Sequence, residues 1–131
     1  MLESVRTLAD MLARDGVTVE DLVGRLGGES ADTGANVLVD PTGLKGVLRA
    51  DVVRTRPGVD VPAHIELDLE EPEPLEELEA ILGQPATVHP DHRSQPVQLV
   101  YPIPLVDASR QVKLIAALVD GGARTLILRR D

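Results

Sequence analysis

The chain has 131 residues, of which 43% are hydrophobic, a net charge of −9, no cysteine, and Tyr101 as its one residue among Phe, Trp and Tyr. This length and composition predict a single domain over residues 1–131 with an aliphatic core, and the lack of cysteine excludes disulfides, thiolate metal sites and cysteine nucleophiles. The chain has neither the basic groove nor the aromatic platforms of nucleic-acid-binding proteins, so we expect no nucleic-acid partner.

The N-terminal segment, MLESVRTLADMLARDG, is interrupted by charged residues and does not have the apolar core of a signal peptide. No stretch is long and apolar enough to span a bilayer, so no membrane partner is expected. A chain without cysteine is compatible with a reducing compartment. These features predict a cytoplasmic protein.

Two short helices are predicted at the start of the chain. Apolar residues recur at intervals of three and four between Leu2 and Leu12, as in a helix buried on one side. Thr18 is a predicted N-cap with Asp21 as its capping-box partner, and Gly27-Gly28 ends the second helix. The run GGESADTGAN that follows is expected to be a flexible loop because it consists mainly of polar and turn-forming residues.

Three extended segments come next: NVLVD, GVLRADVVRTR and VPAHIELDLE. In the third, Ile65, Leu67 and Leu69 alternate with polar residues, most of them acidic, which predicts a half-buried antiparallel strand with one acidic face. The run EPEP is expected to break the sheet and to start a third helix at Pro74, which the glycine of LEELEAILG ends.

Three more strands are predicted towards the C-terminus: PVQLVYPI, RQVKLIAALVD and RTLILRR. The helical segments VEDLVGRLGG and LEELEAILGQ share their apolar spacing, and each is followed by three predicted strands. The expected fold is therefore α+β, with N-terminal helices and an antiparallel sheet. The repeated pattern indicates either a degenerate duplication of one helix and three strands, with half-repeats at 17–70 and 74–131, or shared patterning only.

The helix end Leu82-Gly83-Gln84-Pro85, its echo at Leu26-Gly27 and the strands that follow each resemble the repeating unit of the β-lactamase-inhibitor-protein and outer-membrane-assembly lipoprotein fold. The chain departs from the inhibitor family in having no disulfides and no aromatic inhibitory surface. The element order and the acidity also resemble type III secretion chaperones, although a final strand stands where those chaperones place a helix. Both resemblances imply a fold, which by itself does not fix a function.

Acidic residues are concentrated in the middle of the chain. Residues 57–92 hold ten carboxylates and no lysine or arginine, whereas residues 93–131 carry a net charge of +3. Such a segment either keeps the protein soluble or attracts a basic protein partner. We predict a partner-binding set made of the acidic strand, the acidic helix and the lone tyrosine: Glu66, Asp68, Glu70, Glu71, Glu73, Glu76, Glu77, Glu79 and Tyr101.

The histidines give a weak metal pattern. His89 and His92 lie close to each other in HPDH, but Pro90 opposes a regular helical display, and His64 is distant in sequence. We therefore predict no metal site and interpret the segment as a polar surface loop.

Catalytic motifs are absent from the sequence. Glu66 and Asp68 are separated by about 6.6 to 7 Å along a strand, which suits an inverting glycosidase, yet the chain supplies no substrate-stacking aromatics. There is no nucleophile elbow, P-loop or dinucleotide fingerprint, so no catalytic residue and no cofactor is predicted.

The preferred hypothesis is a non-catalytic protein-binding module of chaperone, immunity or inhibitor type with a basic partner. Two alternatives stay open at this point. One is a structural homodimer or pathway accessory protein, and the other is a small ligand-handling enzyme with a pocket between helices and sheet.

Overall fold

The computed structural model describes residues 2–14, 16–44, 46–74, 76–77, 80, 86–88, 98–102, 112–119 and 122–130. They include two helices, α1 (Leu2–Leu12) and α2 (Val19–Leu26), followed by eight strands. The strands are β1 (Glu29–Asp32), β2 (Asn36–Asp40), β3 (Val47–Arg54), β4 (Pro62–Pro74), β5 (Ala86–Val88), β6 (Gln98–Pro102), β7 (Val112–Val119) and β8 (Gly122–Arg130). The predicted α+β class with N-terminal helices and an antiparallel sheet is confirmed. In the described part of the chain, no helix is long and apolar enough to cross a membrane.

The described strands form one antiparallel sheet in the order β1-β2-β3-β4-β8-β7-β6-β5. Two four-stranded meanders, β1 to β4 and β5 to β8, meet where β4 pairs with β8. Each meander thus has four strands, where the sequence predicted three. The duplication itself stays a prediction, because most of the predicted third helix lies outside the described residues.

The predicted capping box begins α2. The Oγ1 of Thr18 accepts a hydrogen bond from the backbone N–H of Asp21 at 3.0 Å, and the backbone N–H of Thr18 donates to the Asp21 carboxylate at 3.1 Å. At the other end, the N–H of Gly27 donates to the carbonyl of Val23. These bonds satisfy backbone groups that have no partner within the helix.

One face of the sheet packs with the helices around an aliphatic core. Alternate residues of the strands are buried, as shown by Ile65, Leu67 and Leu69 in β4 and by Leu126 and Leu128 in β8. The core cluster joins both helices to strands of both meanders, and none of the buried residues in the described part is polar or charged.

The prediction of a flexible loop over GGESADTGAN is wrong, because this segment contains strand β1. This strand pairs antiparallel with β2, from Glu29 opposite Asp40 to Asp32 opposite Val37. All four residues of β1 are exposed, so no apolar alternation marks the strand in the sequence.

The prediction that EPEP ends the sheet is wrong. Strand β4 continues to Pro74, which pairs with Gly122 at the start of β8. The ladder is interrupted between Asp68 and Glu73, which accommodates Pro72, a residue that cannot donate a backbone hydrogen bond. A Cβ at Gly122 would lie 2.7 Å from the Cβ of Pro72, so the close approach of the two strands requires glycine there.

Candidate interaction surface

The second face of the sheet carries half-buried and exposed side chains. We call it the open face. One row of directly opposed residues crosses five of its strands, each pair being neighbours in the sheet. The row, from β2 to β7, consists of Leu38, Asp51, Glu66, Ile127 and Ile115. Acidic groups therefore lie between apolar side chains in the middle of this face.

Asp51 and Glu66 lie directly opposite each other on β3 and β4. Residues paired in this way have their Cβ atoms about 4.5 to 5.5 Å apart. The side-chain amide of Asn36 donates to Oδ1 of Asp51 at 2.8 Å, which holds that carboxylate in place. In the described part of the chain no cation forms a salt bridge with either acid. Like charges directly opposed destabilise a sheet, so this pair costs stability.

Asp68 continues the acidic side of β4. Its Oδ1 accepts a hydrogen bond from the hydroxyl of Thr125 at 3.2 Å. Arg49 of β3 is directly opposite Asp68 on the other side, yet no salt bridge between them occurs among the described residues.

Strand β8, which carries several arginines, lies beside acidic β4, but the register separates their charges. Glu66 is opposite Ile127, whereas Arg129 is opposite His64. No salt bridge joins a β4 carboxylate to a β8 arginine within the described ranges. The register therefore sets the carboxylates of Glu66 and Asp68 opposite Ile127 and Thr125 rather than opposite arginines of β8.

The remaining predicted acids extend beyond the break in the β4–β8 ladder. Glu70, Glu71, Glu76 and Glu77 are exposed, whereas Glu73 is half-buried. Burial, together with the hydrogen bond and charge of Glu77, raises the pKa of Glu73. Glu70, Glu71 and Glu73 thus lie in the last part of β4, and Glu76 and Glu77 follow its end.

Two predicted positions are not next to the Asp51–Glu66 pair. Glu79 lies outside the described residues. Tyr101 of β6 pairs with Leu114 of β7, and β6 is three strands from β4, or about 14 Å at the usual strand spacing. The row that contains Glu66 reaches β6 at Val100, which pairs with Ile115, and not at Tyr101.

The histidine hypothesis can be followed only at His64, which lies on β4 between Val53 and Arg129. His89 and His92 lie outside the described residues. No group of three or more metal-ligating side chains occurs within the ranges that the structure describes.

Sequence reasoning missed Asp51. Its alternation with Ala50 and Val52 places it on the polar side of its strand, which was visible in the sequence. What the sequence did not show was the register that sets Asp51 beside Glu66.

Comparisons of the chain with protein-family models, curated proteins and solved structures found no match. The two fold resemblances therefore gain no support from them, and a functional proposal depends on the geometry of the open face.

Proposed function

We propose that the chain is a non-catalytic protein-binding module, of chaperone, immunity or inhibitor type, whose open face engages a basic protein surface. The observation that carries the proposal is the directly opposed Asp51–Glu66 pair, which forms no salt bridge with a cation among the described residues. A lysine or arginine of a partner, placed between these carboxylates, would relieve their repulsion on binding. The repulsion that destabilises the free protein would be relieved in the complex, and this relief would favour binding.

The apolar neighbours of the pair support the same function. Ile127 and Ile115 continue the row on one side, and Leu38 on the other side is 37% exposed. Protein interfaces combine apolar side chains that are desolvated on binding with charged groups that orient the partner. An acidic surface that served only solubility would not require this apolar setting.

The other functional classes have less support. The layer between helices and sheet is filled by aliphatic side chains in the described residues, so it presents no converging polar groups for a substrate.

A cytoplasmic setting is part of our proposal, because a chain without cysteine suits a reducing compartment.

The proposal can be tested with a capped synthetic heptapeptide of alternating lysine and valine, titrated into ¹⁵N-labelled protein. We expect saturable shift changes at Asp51, Glu66 and Ile127, and affinity that falls steeply with salt. The double variant Asp51→Asn with Glu66→Gln should weaken binding by about tenfold.

The matched control is Asp10→Asn with Glu20→Gln, which removes the same two charges from the helices. It should bind the peptide nearly as well as the original protein. Equal weakening by both double variants would show a general effect of net charge and would overturn the proposal. A stable homodimer in light scattering, with the Asp51 and Glu66 amides protected in it, would instead assign this face to self-association.

A further inference from the structure

A depression of about 480 Å³ lies on the sheet where β4 begins, β8 ends and β7 begins. It is separate from the Asp51–Glu66 pair, and neither of those residues lines it. Its volume falls within the range of small-molecule sites, about 300 to 1,000 Å³. The lining residues combine nitrogen-bearing and aliphatic side chains: Ala63, His64, Ile115, Ile127, Arg129 and Arg130.

His64, Arg129 and Arg130 supply the nitrogen-bearing side chains that line this depression. Arg129 is directly opposite His64 of β4 on one side and Lys113 of β7 on the other. The Arg129 side chain is exposed and makes no salt bridge or hydrogen bond with another residue in the described part of the chain. A planar guanidinium with unused donors is suited to two parallel hydrogen bonds with a carboxylate.

Two isoleucines supply most of the apolar lining. Ile127 lies two residues before Arg129 on β8 and is directly opposite Ile115 of β7. Both are half-buried, so an aliphatic group that covered them would remove apolar surface from water.

The charge of Glu66 would determine the orientation of a ligand in this depression. Glu66 is directly opposite Ile127 on the side away from β7. Its negative charge would repel an anionic group placed over the isoleucines, whereas Arg129 would attract it. A ligand with one anionic end and an aliphatic body therefore fits in one orientation only, with its anionic group at Arg129.

We propose that this depression binds a small aliphatic carboxylate, with the carboxylate on Arg129 beside His64 and the hydrocarbon body on Ile127 and Ile115. The site shares Ile127 and Ile115 with the proposed protein-binding surface, but its charged residues are different ones and are opposite in sign.

The experiment is an NMR titration of the full ¹⁵N-labelled chain with octanoate. We expect saturable shift changes centred on Ile115, Ile127 and Arg129. Acetate, which has the same charged group without the body, should bind more weakly, and octylammonium should leave these resonances unchanged. Arg129→Gln should weaken octanoate binding by about tenfold or more, the usual scale for losing a charged hydrogen bond.

Arg124→Gln is the matched control, since Arg124 is also an exposed arginine of β8 but does not line the depression. It should leave octanoate affinity nearly unchanged, and circular dichroism should show that both variants are folded. The proposal is overturned if octanoate causes no saturable change, if the two arginine variants weaken binding equally, or if acetate binds as well as octanoate. Failure here would leave the lysine-peptide result at Asp51 and Glu66 unaffected.

Discussion

Arg54 and Asp32 form a two-pronged salt bridge, in which Nη1 and Nη2 of Arg54 donate to Oδ1 and Oδ2 of Asp32 over 2.7 and 2.8 Å. Nη1 also donates to the carbonyl of Gly34 at 3.2 Å. Arg54 ends β3 and Asp32 ends β1, so the bridge ties the edge hairpin to the third strand. The hydrogen bonds from Arg54 and from the Gly34 N–H lower the pKa of Asp32 from 3.8 to about 2.

This salt bridge predicts a specific loss of stability in acid. Because the folded-state pKa of Asp32 lies below its ordinary value, its contribution is fully present above about pH 4 and is lost as the pH falls towards 2. Asp32→Asn should lower the free energy of unfolding at pH 5 to 7, and its difference from the original protein should shrink between pH 4 and 2. Urea denaturation across this range measures it.

Asp40→Asn is the control for the acid prediction, since Asp40 forms no salt bridge within the described residues. At pH 5 to 7 it should lower the free energy of unfolding less than Asp32→Asn does, because it breaks no salt bridge. A pH-independent effect of Asp32→Asn would mean that the carboxylate is not held in its charged form by Arg54.

Replacing each of two glycines with alanine should change the stability of the protein in opposite directions. Gly28 has a φ of +80°, and a Cβ there would clash with the carbonyl oxygen of Asp40. We expect Gly28→Ala to destabilise the protein by roughly 2 to 3 kcal/mol. Gly24 lies within α2, and a Cβ there would meet no neighbouring atom within 4 Å, so Gly24→Ala should stabilise by about 0.5 to 1 kcal/mol. Thermal unfolding followed by circular dichroism separates the two, and a neutral Gly28→Ala would show that Gly28 does not lie against Asp40.

The raised pKa of Glu73 predicts that its charge opposes folding at neutral pH. Burial and the neighbouring Glu77 favour the protonated form in the folded state, so stability falls as the pH rises through the folded-state pKa. Glu73→Gln should therefore raise stability at pH 7, which would appear as a higher Tm. Glu71→Gln, at an exposed position, should change Tm less. Equal shifts in both variants would indicate a general effect of net charge.

The assignment of the two sheet faces can be tested on adjacent residues. Leu126 is fully buried, so Leu126→Ala should cost about 2 to 5 kcal/mol. Ile127 is half-buried on the open face, and Ile127→Ala should cost roughly 1 kcal/mol. Chemical denaturation compares them directly, and similar losses would mean that both faces are covered.

Apolar spacing predicted both described helices and the acidic strand, because each buries one side and its periodicity shows this. The strands β6, β7 and β8 were predicted from their apolar, β-branched composition and the turn residues between them. The capping box of Thr18 and Asp21 was also readable, since its bonds join residues close in sequence. Strand β1 was missed because all its side chains are exposed. The extension of β4 to Pro74 was missed because it depends on pairing with β8, more than forty residues away in sequence.

For the candidate surface, too, some features could be predicted from the sequence and others depend on the tertiary structure. The sequence by itself determined that β4 has an acidic side, that the core is aliphatic and that the end of the chain is basic, because alternation and composition are local properties. Only the tertiary structure decided that Glu66 lies beside Asp51 and Ile127, and that Arg129 lies beside His64. Register between strands distant in sequence is set by how their buried residues pack together, and a shift of one residue would place every charge on the other face.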